Sequence, residues 1–280
     1  MQIDKEKLKI ALSVLYEEDH DAYYSGHFIS LLHNVRSNAF KPATTLSTVI
    51  NPHQLSKRLL LIHMELLNLA TISIRLIMQQ LLRDDKCEYK IDDNLWRYFA
   101  SADIDLFFIK YRSVFDNIAQ LIKTITSAAA PNSLNDLMTK AKPNTLPLDF
   151  KYVELILKCD WFKTIRTIRD SIEHHGAETN VDYNKDKVLF KISELDASYT
   201  HVPGKSLINI PEIVYDDFSD FELFAGIFMG YLIWFLEELS LIISQDLKSS
   251  QIVNDRIYHP GFSTVRTWIE NAITERKSLT

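Results

Sequence analysis

The sequence is short of glycine. Its 280 residues contain six glycines, where average usage of roughly 7% would give about 20. This deficit disfavours glycine-rich phosphate loops, dinucleotide-binding fingerprints and all-β folds with many turns. It favours long helices joined by few loops.

Cysteine is also scarce, since Cys87 and Cys159 are the only two. Two isolated cysteines form neither a CxxC metal pair nor a disulfide framework, so we expect a reducing, cytoplasmic location. The sequence has no HExxH zinc motif, P-loop, GxSxG elbow or EF-hand loop. We therefore predict no metal and no cofactor.

The chain also has no excess of basic residues. The chain has 31 basic and 37 acidic side chains, a formal net charge of −6, which excludes a globally basic protein that coats nucleic acid. One run, Leu223–Leu236, is 14 residues long and has no charge. A membrane span needs about 20 apolar residues, so we interpret this run as a core helix and predict no membrane partner.

Helical periodicity is abundant. Apolar residues recur at spacings of three and four, and we predict helices over about 4–18, 25–38, 53–84, 94–127, 133–141, 148–175, 216–248 and 262–276. KVLFKIS and SLINI alternate apolar and polar residues on either side of Pro203-Gly204, which predicts a β-hairpin. The predicted fold class is all-α: a four-helix up-and-down bundle core with extra N- and C-terminal helices and a small β-hairpin insertion.

We expect three regions along the chain: an N-terminal helical extension at 1–50, a helical bundle at 51–250 with the hairpin near 186–211, and a C-terminal helix at 251–280 packed on the same domain. Gly226 and Gly230 lie four residues apart and predict a close approach by a neighbouring helix. The adjacent Glu237-Glu238 pair lacks metal-ligand partners and predicts a solvated position or a bundle end.

One predicted helix end crowds charged and titratable side chains. The segment 161–176, WFKTIRTIRDSIEHHG, holds Arg166, Arg169, Asp170, Glu173, His174 and His175. Gly176 follows, and glycine favours the left-handed residue that ends a helix. A second Arg-x4-His pair, Arg58 and His63, falls on an apolar stripe. We interpret His63 as a satisfied core or groove histidine.

The decapeptide TIRDSIEHHG resembles the signature of the HEPN superfamily, a group of helical-bundle proteins. That signature is an arginine, a polar residue directly after it, and a histidine four to six residues beyond the arginine. The preceding helix, with YRSVFDNIAQLI at 111–122, is also similar to that family. The likeness covers 53–176 loosely and the helix from 216 by order alone, so the bundle at 51–250 is interpreted as HEPN-like.

The resemblance implies a metal-independent endoribonuclease, a toxin or phage-defence effector. It assigns the catalytic positions to Arg169, Asp170 and His174, while His175 also satisfies the variable spacing. It further implies a homodimer whose two motifs face one cleft, with RNA or a nucleotide and an antitoxin protein as partners. Gly176 stands where some members carry a tyrosine that a partner nucleotidyltransferase modifies, so that regulation is not expected.

The chemistry of these residue types suits RNA cleavage. Arginine donates two hydrogen bonds to phosphate oxygens, and histidine titrates near neutral pH as an acid or a base. Positions five apart on a regular helix are about 140° apart. Arg169 and His174 of one chain are therefore not expected to meet unless the last turn unwinds, and we hypothesise a two-fold dimer that joins them.

Ion pairing offers a simpler interpretation of the same residues. Arg166–Asp170, Arg169–Glu173 and, on the preceding helix, Arg112–Asp116 are i, i+4 pairs, which form common and weak surface salt bridges. Arg112 and Asp116 are also candidates to support the site. The alternative function is a non-catalytic helical module for dimerisation or for binding a nucleotide or protein. A metal-dependent helical enzyme, inactivated by EDTA, is the third.

Overall fold

The computed structural model describes residues 3–19, 21–37, 51–83, 91–126, 130–140, 149–184, 187–193, 207–208, 210–211, 213–215, 217–247 and 255–274. Most of these residues are helical, which confirms the predicted predominance of helix. The helices are α1 (Lys5–Val14), α2 (His27–Arg36), α3 (Pro52–Arg83), α4 (Asp93–Thr126), α5 (Leu134–Lys140), α6 (Phe150–Leu157), α7 (Phe162–His175), α8 (Phe221–Asp246) and α9 (Gly261–Thr274). The strands are β1 (Leu15–Glu18), β2 (Asp21–Tyr24), β3 (Glu178–Asn184), β4 (Lys187–Ser193), β5 (Val214–Tyr215), β6 (Phe218–Asp220) and β7 (Ile257–Tyr258).

Helix α8 lies in the core. Every residue from Leu223 to Glu237 is buried, and the helix packs against α1, α2, α6 and α9. By length and composition α3 and α8 are each apolar enough to cross a membrane, yet 83% of the most apolar window of α8 is buried inside the protein against 39% of that of α3. The charge-free run of α8 is therefore a core helix, as the sequence predicts.

The two glycines of α8 permit close helix packing, which confirms that prediction. A Cβ atom at Gly226 would lie 2.3 Å from the carbonyl oxygen of Trp268 in α9. A Cβ at Gly230 would lie 2.5 Å from Cδ2 of Leu8 in α1. Both distances are below van der Waals contact, so a side chain at Gly226 would push the backbone of α9 away, while one at Gly230 would displace the Leu8 side chain.

Helix α4 lies between α3 and α7, which it contacts on different sides. Glu65 pairs with Lys110 at 3.1 Å, and Arg75 pairs with Asp103 at 2.7 Å. Because the residue number rises on α3 while it falls on α4, these two helices run antiparallel. This arrangement places the centre of α4 beside the helix that carries the candidate site.

The single helix predicted over 148–175 is wrong. The chain leaves the helix after Leu157 and resumes at Phe162. At the break, the Asp160 carboxylate accepts the backbone N–H of Trp161, a local hydrogen bond that competes with helix formation. Trp161 is buried, and its indole N–H donates to Tyr111 Oη at 3.2 Å. This contact fixes the start of α7 on α4.

The predicted strand KVLFKIS is present as β4, but its hairpin partner is β3 and not SLINI, although the backbone N–H of Leu207 in SLINI donates to the Ile192 carbonyl of β4 at 2.9 Å. Strand β4 pairs antiparallel with β3, which precedes it, in the register Glu178↔Ser193 to Asn184↔Lys187. Of the SLINI residues, 207, 208 and 210 are described and none is in a strand. The Pro203-Gly204 turn lies outside the described residues. The sheet has the strand order β3-β4-β6-β5. Strand β6 pairs with β4 and runs directly into the start of α8.

A second small sheet, with the strand order β1-β2-β7, was not predicted. It occupies residues 15–18, which are predicted to belong to the first helix, and residues 21–24 and 257–258. Tyr16, Tyr23 and Tyr258 lie in a row across it: Tyr16 stacks on Tyr23 with ring centroids 5.6 Å apart, and the tilted ring of Tyr258 lies 5.7 Å from that of Tyr23. Cross-strand aromatic pairs of this kind stabilise short strands.

The solvated position predicted for Glu237 is also wrong, because this residue is 3% exposed. Its carboxylate accepts the hydroxyl of Tyr24 at 2.7 Å and the backbone N–H groups of His27 at 2.6 Å and Phe28 at 3.3 Å. It thereby caps the N-terminus of α2 from α8. Burial, together with the Glu237 charge, raises the pKa of Tyr24 well above its ordinary value.

Candidate functional site

Helix α7 carries the candidate residues and remains helical through His175. Gly176 then adopts the left-handed conformation, with φ 66° and ψ 30°, as the sequence predicts. The backbone N–H of Ala177 donates to the carbonyl of Ser171 at 3.0 Å, which closes the helix end. The motif therefore sits on a regular last turn and not on an unwound one.

Arg169 is the centre of the cluster. Its Nη1 donates to Asp170 Oδ1 at 3.0 Å and lies 3.1 Å from Nε2 of His174, while its Nη2 pairs with the carboxylate of Glu173. The arginine side chain is 24% exposed, so the guanidinium is held in place yet remains open on one side. Its Nε is buried and has no acceptor among the described residues.

The expectation that Arg169 and His174 of one chain cannot meet is wrong. Their Cα atoms are separated by about 140° around the helix and about 7.5 Å along it. The arginine side chain is long enough for its guanidinium to reach around the helix to the imidazole of His174. The contact needs no unwound turn and no second chain. Helix geometry therefore gives no reason to place Arg169 of one chain beside His174 of another in a composite site. The homodimer itself stays a prediction.

Asp170 bridges two arginines. One carboxylate oxygen accepts from Arg169, and the other lies 3.2 Å from Nε of Arg166. Arg166 also donates to the side-chain amide oxygen of Asn135 in α5. The predicted i, i+4 pairs on α7 are thus formed, and Asp170 is placed to hold the Arg169 guanidinium in one orientation. Sequence reasoning missed Asn135, because no motif marks it.

The supporting pair from α4 lies beside this network. Arg112 Nη1 is 3.2 Å from Asp116 Oδ1, and the Arg112 guanidinium stacks 4.9 Å from the ring of Phe162. Burial lowers the pKa of Arg112, and the charges of Asp116 and Asp170 oppose that shift. Burial raises the pKa of Asp116, against the charges of Arg112 and Arg169. The Arg112–Asp116 pair of α4 and the Arg169–Asp170 pair of α7 therefore belong to one electrostatic cluster.

The two histidines of the motif differ in their surroundings. His174 and His175 are both exposed, but only His174 reaches Arg169. His175 makes no hydrogen bond or ion pair within the part of the chain that the structure describes. The geometry thus separates two positions that the sequence spacing leaves equivalent.

The formal charge of the cluster is balanced. Three arginines face three carboxylates: Arg112, Arg166 and Arg169 against Asp116, Asp170 and Glu173. A phosphate would have to compete with these carboxylates for Arg169. Over the described ranges, no group of three or more His, Cys, Asp or Glu side chains is placed to hold a metal ion.

The second Arg-x4-His pair has another environment. His63 Nδ1 is buried and has no hydrogen-bond partner among the described residues, so the prediction of a satisfied histidine is wrong. Burial lowers the pKa of His63, and the nearby Arg36 and His259 lower it further. Within those residues no hydrogen bond joins Arg58 to His63. The identical spacing does not produce the contact that α7 makes.

Comparison with known proteins does not identify the chain. No family model, no curated protein and no solved structure matches it.

Proposed function

We propose that this chain is a metal-independent endoribonuclease of HEPN type. The observation that carries the proposal is the contact of Arg169 with both Asp170 and His174 at the open end of α7. These are the three positions that the motif assigns to catalysis. In this proposal α3, α4, the α6–α7 pair and α8 form the four-helix core of the family, and the biological setting is toxin activity or phage defence.

The proposed reaction uses the RNA's own 2′-hydroxyl as the nucleophile. This oxygen forms a new bond to the adjacent phosphorus as the bond to the 5′-oxygen breaks, which leaves a 2′,3′-cyclic phosphate and a 5′-hydroxyl. One proton leaves the 2′-hydroxyl and one reaches the 5′-oxygen. The reaction therefore needs a group that exchanges protons near neutral pH and a cation that binds the phosphate.

Arg169 and His174 fill these two roles. Arginine donates two parallel hydrogen bonds to phosphate oxygens and stays charged. When a phosphate takes the Nη1 donor of Arg169, Nε2 of His174 is released to exchange a proton with RNA. Asp170 acts as a positioning residue, because it holds Arg169 from one side and Arg166 from the other.

The competing proposal is that the protein is a binding module, in which the ion pairs of α7 only stabilise the structure. It is favoured by one observation: Asp170 and Glu173 already occupy donors of Arg169. Under this alternative, the protein is a non-catalytic helical module for dimerisation or for binding a nucleotide or a protein partner.

The deciding experiment compares two oligonucleotides in EDTA with purified protein. We expect cleavage of an RNA strand, with cyclic-phosphate products identified by mass spectrometry, and no cleavage of the same strand with 2′-deoxyribose throughout. Cleavage that requires added metal, or cleavage of the deoxy strand, contradicts the mechanism. Binding of the RNA without cleavage supports the binding module.

A further inference from the structure

The start of α9 rests directly on the backbone of α3. A Cβ atom at Gly261, the first residue of α9, would overlap the carbonyl oxygen of Ala70 in α3. The next residue, Phe262, is fully buried. One turn of α9 is therefore held against α3 by backbone contact. We call the contact of Ala70 and Thr71 with His259 and Gly261 the α3–α9 junction.

His259 connects the two helices through both of its ring nitrogens. Nδ1 accepts the backbone N–H of Gly261 at 3.1 Å, which satisfies a donor that has no partner within the helix. Nε2 lies 3.2 Å from Oγ1 of Thr71, whose hydroxyl donates to the carbonyl of Leu67 at 2.8 Å. Because the Thr71 hydrogen is engaged in that bond, Nε2 carries the ring proton and donates to Thr71. The junction thus requires the neutral imidazole.

A second proton on His259 would remove this helix cap. An imidazolium carries a hydrogen on both nitrogens, so Nδ1 would point a donor at the N–H of Gly261. The positive charge would also face the N-terminus of α9, where the helix dipole favours negative charge. Burial lowers the pKa of His259 below its ordinary value, in the same direction as these two effects. The closed junction therefore excludes the second proton.

A second histidine on α3 responds to protons in the same way. His63 lies about two turns before Thr71, and its buried Nδ1 has no hydrogen-bond partner among the described residues. Burial lowers the pKa of His63, and the charges of Arg36 at the end of α2 and of His259 lower it further. A proton on His63 would therefore add positive charge beside two other basic groups.

The charged groups on the neighbouring elements are engaged in contacts of their own. These contacts are Arg75 with Asp103, His33 with Asp255, Arg256 with Glu18, Lys110 with Glu65, Arg266 with Glu270, Asp21 with the Tyr258 hydroxyl, and Glu17 with the Ser263 hydroxyl. Among the described residues, no carboxylate raises the pKa of His63 or His259. A protonated ring at either position thus has no counter-charge while the junction is closed.

We propose that the α3–α9 junction is a pH switch, in which uptake of a proton by His259 releases the first turn of α9 from α3. Protonation of His63 favours the same opening. Release exposes Phe262 and the part of α3 that the start of α9 covers. The switch lies on α3 and α9 and not on α7, so it goes beyond the proposed function and holds whether or not the chain cleaves RNA.

The pH range of the switch follows from proton binding. In the open form each histidine titrates near its ordinary pKa of about 6.5, whereas in the closed form its pKa is lower. Between these two values the open form binds more protons, so each unit of falling pH favours opening by up to about tenfold per histidine. The closed junction is therefore fully favoured above about pH 6.5 and weakens as the pH falls below it.

Hydrogen exchange of the full chain, read by mass spectrometry, tests the switch. The measured quantity is the ratio of amide protection factors at about pH 7.5 and about pH 5, which removes the intrinsic pH dependence of exchange. In wild type we expect protection of the 261–265 amides to fall by about tenfold or more at the lower pH, while the 226–236 amides of α8 keep theirs.

His259→Asn is the decisive variant, because asparagine accepts a backbone N–H two residues ahead and does not titrate in this range. We expect its ratio for 261–265 to fall to about threefold or less, even if its protection is lower at both pH values. His63→Gln is expected to reduce the ratio without abolishing it. His53→Asn is the matched control, because His53 is exposed in the first turn of α3; its ratio is expected to equal that of wild type.

Three results would overturn the switch. The first is a wild type whose 261–265 amides are as well protected at the lower pH as at the higher. The second is an equal ratio for His259→Asn and wild type. The third is a loss of protection in α8 that accompanies the loss in α9, because it means global acid unfolding. No RNA enters the measurement, so the proposed function and the proposed switch fail independently.

Discussion

Replacing His174 by alanine is expected to lower the rate of RNA cleavage by roughly 10²- to 10⁴-fold, the usual contribution of a general acid or base. The loss follows from the position of His174, whose Nε2 lies 3.1 Å from the guanidinium proposed to bind the phosphate. No other titratable ring in the described residues reaches Arg169. The measurement is the single-turnover cleavage rate in EDTA, at saturating protein.

His175→Ala is the matched control for this prediction. His175 is adjacent, also exposed at the helix end and of the same chemistry, yet it does not contact Arg169. We expect its cleavage rate to stay within about threefold of wild type. If His175→Ala loses activity and His174→Ala keeps it, the assignment of the catalytic histidine is wrong.

Replacing Glu237 by alanine is expected to lower the free energy of unfolding by roughly 3 kcal/mol or more, since each buried donor left without an acceptor costs about 1–3 kcal/mol. The substitution deprives the Tyr24 hydroxyl and the backbone N–H groups of His27 and Phe28 of their acceptor. It also leaves an empty volume between α2 and α8. Urea unfolding followed by circular dichroism measures the change.

The neighbouring Glu238→Ala substitution is the control for the capping role. Glu238 is half-buried, and no hydrogen bond or ion pair involves it in the described chain. We expect it to change the free energy of unfolding by less than about 1 kcal/mol. Equal losses for the two substitutions would show that Glu237 acts as ordinary packing and does not cap α2.

The long helices could be predicted because each of them buries a stripe of apolar residues. The periodicity of 53–84 and 94–127 gives the bounds of α3 and α4 to within one residue. The glycines of α8 predict close packing for the same reason: in a helix, residues four apart lie on one face. The helices that can be predicted are therefore those whose buried faces follow a regular spacing along the sequence.

The errors arise where a distant contact decides the local structure. The sequence around Glu237 predicts a surface residue, but in the fold its carboxylate accepts a free backbone N–H group at the start of α2. Strand β3 is mostly polar and gains its structure from pairing with β4. Leu60 and Met64, exposed on α3, follow the same helical spacing as the buried Leu59 and Ile62, and sequence alone does not show which of two apolar stripes the fold will cover.

The candidate site was predictable in its members and not in its geometry. The motif marks Arg169, Asp170 and His174, but the helix angle alone predicts that Arg169 and His174 stay apart, because it takes no account of side-chain length. The length of the arginine side chain reverses that conclusion. Asn135 and Phe162, which hold Arg166 and Arg112, belong to no motif.

Whether one chain holds the complete site is tested most directly by co-expressing two inactive variants, Arg169→Ala and His174→Ala, and purifying the mixed protein. Each variant alone is expected to lose RNA cleavage in EDTA. Since Arg169 and His174 meet within one chain, the mixture is expected to be as inactive as its components. Recovery toward about one quarter of wild-type activity, the value for one restored site in half of the dimers, would contradict the in-chain site and restore the composite one.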